Sequence, residues 1–188
     1  GVESQIITNA LRPVLSVINA RSVYSQSERC KRLDVILSMA KDKYLPKHYG
    51  NEGPFSTGFF GIDITKEKEY RDADIVHLHW INSGLMRMGT LEKICKPIVW
   101  TVRDMWPMTG GCHITSGCTR YKYRCHDCPH LEVSRCIDLA QCVFKYKRRV
   151  FSKLNIHVVG ISNWISQCAI ESALLGQFDI STIYNCID

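Results

Sequence analysis

Pro97-Ile98-Val99-Trp100-Thr101-Val102-Arg103-Asp104 is the stretch that decides the fold. Its centre, 98–102, is a short apolar run rich in β-branched and aromatic residues, with proline before it and charge after it. That composition reads as a buried strand. Similar runs occupy 73–80, 156–161 and 180–184. Between the first two runs Leu85, Met88, Leu91 and Ile94 recur at spacings of three, which predicts a helix. A second helix is expected over 139–154, with Val143, Tyr146, Lys147 and Val150 on a mixed face. Ser162 is placed to cap a third through Leu175, with Gly176 as its stop. Strands alternating with helices make the chain α/β, with a parallel sheet covered by helices on both faces.

The first third is less patterned. Residues 2–8 read as a strand and 27–39 as a helix. Residues 44–61, with two prolines and four glycines, read as a loop. No internal repeat or low-complexity tract is present.

At 188 residues and 45% apolar content the chain is long enough to bury a core, so disorder is not expected. A net charge of +6 favours an anionic partner without choosing one. No stretch reaches the roughly 18 apolar residues of a membrane span, and no basic-then-apolar leader opens the chain. The opening Gly1-Val2-Glu3-Ser4, without methionine, suggests an internal cut of a longer protein.

Ten cysteines divide into two kinds. Six are scattered singly (Cys30, Cys95, Cys136, Cys142, Cys168 and Cys186), as small buried hydrophobes are. The other four, Cys112, Cys118, Cys125 and Cys128, lie within seventeen residues of a cysteine-rich region spanning 105–135. The Cys125-His126-Asp127-Cys128 spacer lets two thiolates reach one tetrahedral ion at about 2.3 Å. In a reducing cytoplasm such a cluster reads as a structural zinc site. The alternatives are an iron–sulfur cluster, or reduced or disulfide-paired cysteines bracing a loop; His113 or His126 can replace one sulfur.

Each apolar run ends in polar residues: His77, His79 and Asn82; then Thr101, Arg103 and Asp104; then Ser162 and Asn163; then Asn185. In open α/β sheets ligands bind at the carboxyl ends of strands. His77 and His79 share a strand face; strand-end histidines contact substrate or simply pack, with a metal pair as the further alternative. Arg103 and Asp104 form either a plain ion pair or a contact for an anionic group and a hydroxyl. The basic run 145–149 reads as a solvated helix face, or as a contact for anionic lipid contributing about 1 kcal/mol per residue. No aromatic-interleaved nucleic-acid module is evident, and no specific nucleic acid is expected.

The stretch 100–113, Trp-Thr-Val-Arg-Asp-Met-Trp-Pro-Met-Thr-Gly-Gly-Cys-His, resembles bacterial family 4 glycosyltransferases of the exopolysaccharide (colanic-acid) type. Their pattern is Trp-Thr-Leu-His-Asp-Met-Trp-Pro-Phe-Thr-Gly-Gly-Cys-His-Tyr, followed by the same cysteines. Residues 73–82, Gly160-Ile161-Ser162-Asn163-Trp164 and Asn185-Cys186-Ile187-Asp188 resemble them too. The resemblance implies a GT-B fold of two Rossmann-like halves. This chain would be the N-terminal, acceptor-side half (1–188), lacking its first strand and the C-terminal donor domain.

It further implies a retaining, metal-independent transfer from a nucleotide sugar to a polysaccharide or lipid-linked acceptor. The setting would be the cytoplasm, with peripheral contact at the inner face of the cell membrane. Asp104 and Arg103 become the catalytic candidates, and His79, Trp80, Asn82, Thr101 and Ser162 the substrate contacts. Arginine stands at 103 where the family has histidine, and a guanidinium cannot act as a base. That departure keeps two rival readings open: a metal-stabilised binding module without activity, and a zinc-stabilised nucleic-acid binder.

Overall fold

The computed structural model describes residues 5–8, 19–22, 29–50, 53–131 and 137–185. Residues 2–4, 27–28 and 132–136, and the linker-like Cys186-Ile187-Asp188, lie outside them.

Strand β4 (Ile98–Val102) stands where the sequence places it, and its side chains explain the sheet. Ile98, Trp100 and Val102 are each at most 4% exposed. It pairs in parallel with β3 (Val76–Leu78) and β5 (Ile156–Gly160), and β5 pairs in parallel with β6 (Asp179–Thr182). The order β3-β4-β5-β6 is sequential. Helices α3 (Leu139–Phe151) and α4 (Asn163–Ile170) both bury their apolar faces in the core built on Ile98, Trp100, Val102, Ile156 and Val158. The alternate side chains, His77, Thr101 and His157 among them, line the opposite face. The fold is mixed α/β with a Rossmann-like four-stranded parallel sheet. A separate parallel ladder joins β1 (Gln5–Thr8) to β2 (Asn19–Ser22).

Three element expectations are corrected. The segment after β3 forms no long helix: a 3₁₀ turn covers Met88–Lys93. Apolar residues three apart match the 3.0-residue period of that helix better than 3.6, and the left-handed Ser83 and Gly84 stop a helix from starting earlier. Helix α4 ends at Ile170, because the Ser172 hydroxyl accepts from the Leu174 and Leu175 amides and turns both leucines into the core. In the N-terminal third α1 (Arg29–His48) runs into the stretch read as loop, with Pro46 in its last turns. Its anchor is Asp42, 5% exposed, whose Oδ1 accepts from the Thr57 amide (2.9 Å) and hydroxyl (2.7 Å). The short α2 (Lys68–Asp72) precedes β3.

Candidate functional site

Beyond β4 the chain surfaces at Arg103 and then returns to the core. Met105, Trp106, Pro107, Met108 and Thr109 are all buried, most of them in a 3₁₀ turn at Trp106–Met108. Segment 111–113 then doubles back beside 54–56. Phe55 and Cys112 form an antiparallel bridge, the Ser56 amide donates to Gly111 O, and the His113 amide donates to Pro54 O. Gly111 sits at φ +134°, and a Cβ there would lie 2.2 Å from the Phe55 ring. Only glycine fits both demands.

This pairing brings Ser56 to His113 across 57 residues of sequence. His113 Nδ1 lies 2.7 Å from Asp104 Oδ2 and its Nε2 lies 3.0 Å from Ser56 Oγ. The other Asp104 oxygen accepts from the Trp106 amide at 2.9 Å. An Asp104 carboxylate accepts from Nδ1–H, and in the neutral imidazole Nε2 then accepts from the Ser56 hydroxyl. Two buried indoles fix the surrounding backbone: Trp106 Nε1 donates to Ser56 O (2.7 Å) and Trp100 Nε1 to His79 O (3.1 Å).

The relay faces an open cleft of about 1010 Å³, whose lining includes Trp80, Ser83, Asp104, His113 and residues of α1. Trp80 is 45% exposed at its lip, with its ring centroid 6.2 Å from that of His113. The Ser–His–Asp order is that of a hydrolase, but the amides beside Ser56 are committed. Ser56 N–H donates to Gly111 O and Thr57 N–H to Asp42, so neither can serve an oxyanion. The arrangement suits binding and orienting hydroxyl groups.

Of the predicted site residues, His79, Trp80, Asn82, Thr101, Arg103 and Asp104 come together around one small cavity that shares Trp80 and Asp104 with the cleft. Ser162 stands apart and caps α4 by accepting from the Ile165 amide at 3.3 Å. Arg103 and Asp104 form no ion pair: Asp104 turns to His113, and the exposed Arg103 donates to Asn185 Oδ1 at 3.3 Å. His77 Nε2 lies 2.8 Å from Thr101 Oγ1, and the His77 and His79 rings are 4.3 Å apart. Partial burial, then the Arg103 charge, lowers the pKa of His77. For His79 burial comes first, then the charges of His77 and Arg103, again downward.

Cys112, Cys118, Cys125 and Cys128 line one cavity of about 10 Å³ with Thr115, His126 and His130. All four are free thiols. Burial lifts Cys112 above the usual thiol range, Cys125 to about 12 and Cys128 to about 11. Among the described residues no group of three or more His, Cys, Asp or Glu side chains is set to hold a metal ion. Four thiols lining one small cavity are soft donors of the kind that zinc takes. A buried cation lies beside them. Lys147, fully buried, donates to Trp106 O and to Thr109 O (3.1 Å) and sits 3.6 Å above the Trp106 ring. This corrects the reading of 145–149 as a uniformly solvated or lipid-facing run. Lysines 145 and arginines 148 and 149 are exposed, but Lys147 is core.

Sequence reasoning missed Ser56, the pairing of His113 with Asp104, and the burial of Lys147. The lysine carried a signal, since Val143, Lys147 and Val150 share a helix face. Ser56 carried none. No helix among the described residues is long and apolar enough to cross a membrane.

No protein-family profile matches the chain, and no solved structure does. The chain is 34% identical over 86 residues to WcaC of Escherichia coli (strain K12), a protein assigned to colanic acid biosynthesis as a glycosyl transferase. The aligned stretch is 43% of this chain and 21% of that protein, so the chain matches about a fifth of the relative's length. That similarity supports a relationship to glycosyltransferases.

Proposed function

We propose that this chain is the acceptor-side domain of a glycosyltransferase that moves a sugar from a nucleotide-sugar donor to a polysaccharide or lipid-linked acceptor. The observation that carries the reading is the cleft at the carboxyl end of β4, where an exposed Trp80 faces the Asp104–His113–Ser56 relay. A flat aromatic face beside fixed hydrogen-bonding groups is the chemistry a pyranose requires. Asp104 is the group we assign to the acceptor hydroxyl, directly or through His113. Arg103, exposed beside it and permanently charged, stabilises the anionic phosphate of donor or acceptor rather than removing a proton. His79, Trp80, Asn82 and Thr101 form the substrate wall. Ser162 contributes at most through the N-terminus of α4. The donor nucleotide would be held by a second Rossmann-like half.

We assign Cys112, Cys118, Cys125 and Cys128 to a structural zinc that braces the wall of the cleft; when bound it supplies a cross-link and no chemistry. Binding would displace the thiol protons that burial now retains. Elemental analysis of reductively purified protein is expected to find about one zinc per chain. Iron with labile sulfide would reassign the cluster, and neither metal would remove it.

The functional test is transfer of labelled sugar from nucleotide-sugar donors to lipid extracts by the chain within its natural full-length protein. Transfer supports the reading. Saccharide binding without transfer favours a binding module, and tight, salt-sensitive RNA or DNA binding favours the nucleic-acid alternative.

A further inference from the structure

Asn82 is 3% exposed, and its Oδ1 is the one buried side-chain polar atom among the described residues without a hydrogen-bond partner. Buried acceptors are almost always satisfied, and one left bare is a standing cost to the fold. The side chain has little freedom to escape that cost. Asn82 opens a tight turn in which Ser83 (φ +52°) and Gly84 (φ +75°) are both left-handed. Its carbonyl accepts from the Leu85 amide at 3.2 Å, and the Met86 amide donates to Ile81 O at 3.1 Å. A left-handed serine is itself a mild strain, and such strain gathers where a site is held ready.

The cavity bordered by Asn82 has a volume of about 10 Å³, room for about one oxygen atom. Its other borders include Trp80, Thr101, Arg103 and Asp104, and it shares Trp80 and Asp104 with the large cleft. The missing partner must therefore be a hydrogen-bond donor the size of a hydroxyl, arriving from the cleft side.

We infer that Asn82 Oδ1 is a specificity-determining acceptor that receives a hydrogen bond from one hydroxyl of a saccharide whose ring lies against Trp80. The inference rests on the saccharide-cleft reading above and adds the residue that selects one hydroxyl. A site built to bond a hydroxyl rejects the analogue that lacks it, because its own polar group is then left bare. A buried water offers the same O–H donor, and the two sources give different results.

The test measures binding of methyl glycosides of glucose, galactose and mannose, each beside its monodeoxy analogues, by indole fluorescence and by NMR of the Trp80 indole N–H. Wild type is expected to favour at least one parent sugar over one of its deoxy forms by about tenfold. Asn82→Leu, similar in volume and without an acceptor, should bring that ratio below about twofold. Asn82→Asp, which keeps an acceptor, should preserve it. Asn82→Leu should also unfold no more easily than wild type, since it removes a bare polar atom.

An undiminished ratio in Asn82→Leu overturns the assignment. So does a saccharide-bound crystal structure with water on Oδ1 and the sugar hydroxyl elsewhere. That crystal structure needs only the wild-type protein, so it decides the matter even if the leucine variant fails to fold. Absence of binding by every sugar to wild type overturns the saccharide-cleft reading and the Asn82 assignment with it.

Discussion

Lys147 concentrates the energetics of this fold in a single side chain. Its ammonium is fully buried and held by two carbonyls, Trp106 O and Thr109 O, both from the turn that carries the relay. Burial, partly offset by the neighbouring Cys112 and Cys125 thiols and by Asp104, lowers its pKa to about 7. The unfolded chain keeps a lysine protonated to about 10.4. Between the two values the unfolded state holds more protons, so stability rises with pH through that window. The buried thiols act oppositely. Their folded values of about 12 for Cys125 and about 11 for Cys128 retain protons that the unfolded chain releases above about 8.5.

The urea midpoint of metal-free protein should therefore climb from about pH 7 to about pH 8 and decline above about pH 9. In Lys147→Met only the decline should remain. That variant leaves the buried Thr109 carbonyl without its donor, while Trp106 O keeps the Thr109 amide, and should lose about 1–3 kcal/mol in urea titrations near pH 7. An unchanged midpoint would mean that the turn is held by packing alone.

At the scale of elements, the turn 105–113 decides whether a site exists. Gly111 combines φ +134° with a would-be Cβ 2.2 Å from Phe55, and at Gly110 a Cβ would meet Ala140 O at 2.4 Å. Gly111→Ala should cost at least about 2 kcal/mol by thermal or urea unfolding. Gly117→Ala, at φ +84° but facing open space, should cost only about 1 kcal/mol. Equal losses would show that crowding against Phe55 is not what fixes the turn.

These elements also mark how far the sequence could be read. The strands around Ile98, Ile156 and Ile180 were legible because apolar runs between turn signals need only local pattern. The 3₁₀ turn at Met88–Lys93 was misread because spacing three fits two helical periods within so short a segment. Asp104 and Asn82 could be placed near each other from their positions at strand ends, and both border one cavity. Ser56 could not, since its position depends on an antiparallel bridge between segments 57 residues apart. No local rule encodes that pairing.

At the scale of the molecule, a sequential parallel sheet sends its polar strand ends to one edge. There Trp80, Asn82, Asp104 and His113 meet at the cleft and its adjoining cavity. The cysteine loop closes over the far side of the same turn. The Asp127 amide donates to Asp138 Oδ2 at 2.7 Å, while Asp138 Oδ1 caps α3 through the Gln141 amide. Tyr121, 6% exposed, roots the loop beside α4, its carbonyl accepting from the Ala173 amide at 3.2 Å. In the proposed function this cleft receives the acceptor hydroxyl through Asp104. The most direct measurement compares sugar transfer by the natural full-length protein with that of Asp104→Asn, which preserves the side chain's shape. Transfer should fall by about 100-fold or more in the variant, with the unfolding midpoint little changed. Transfer at the wild-type rate in the variant would contradict that role for Asp104.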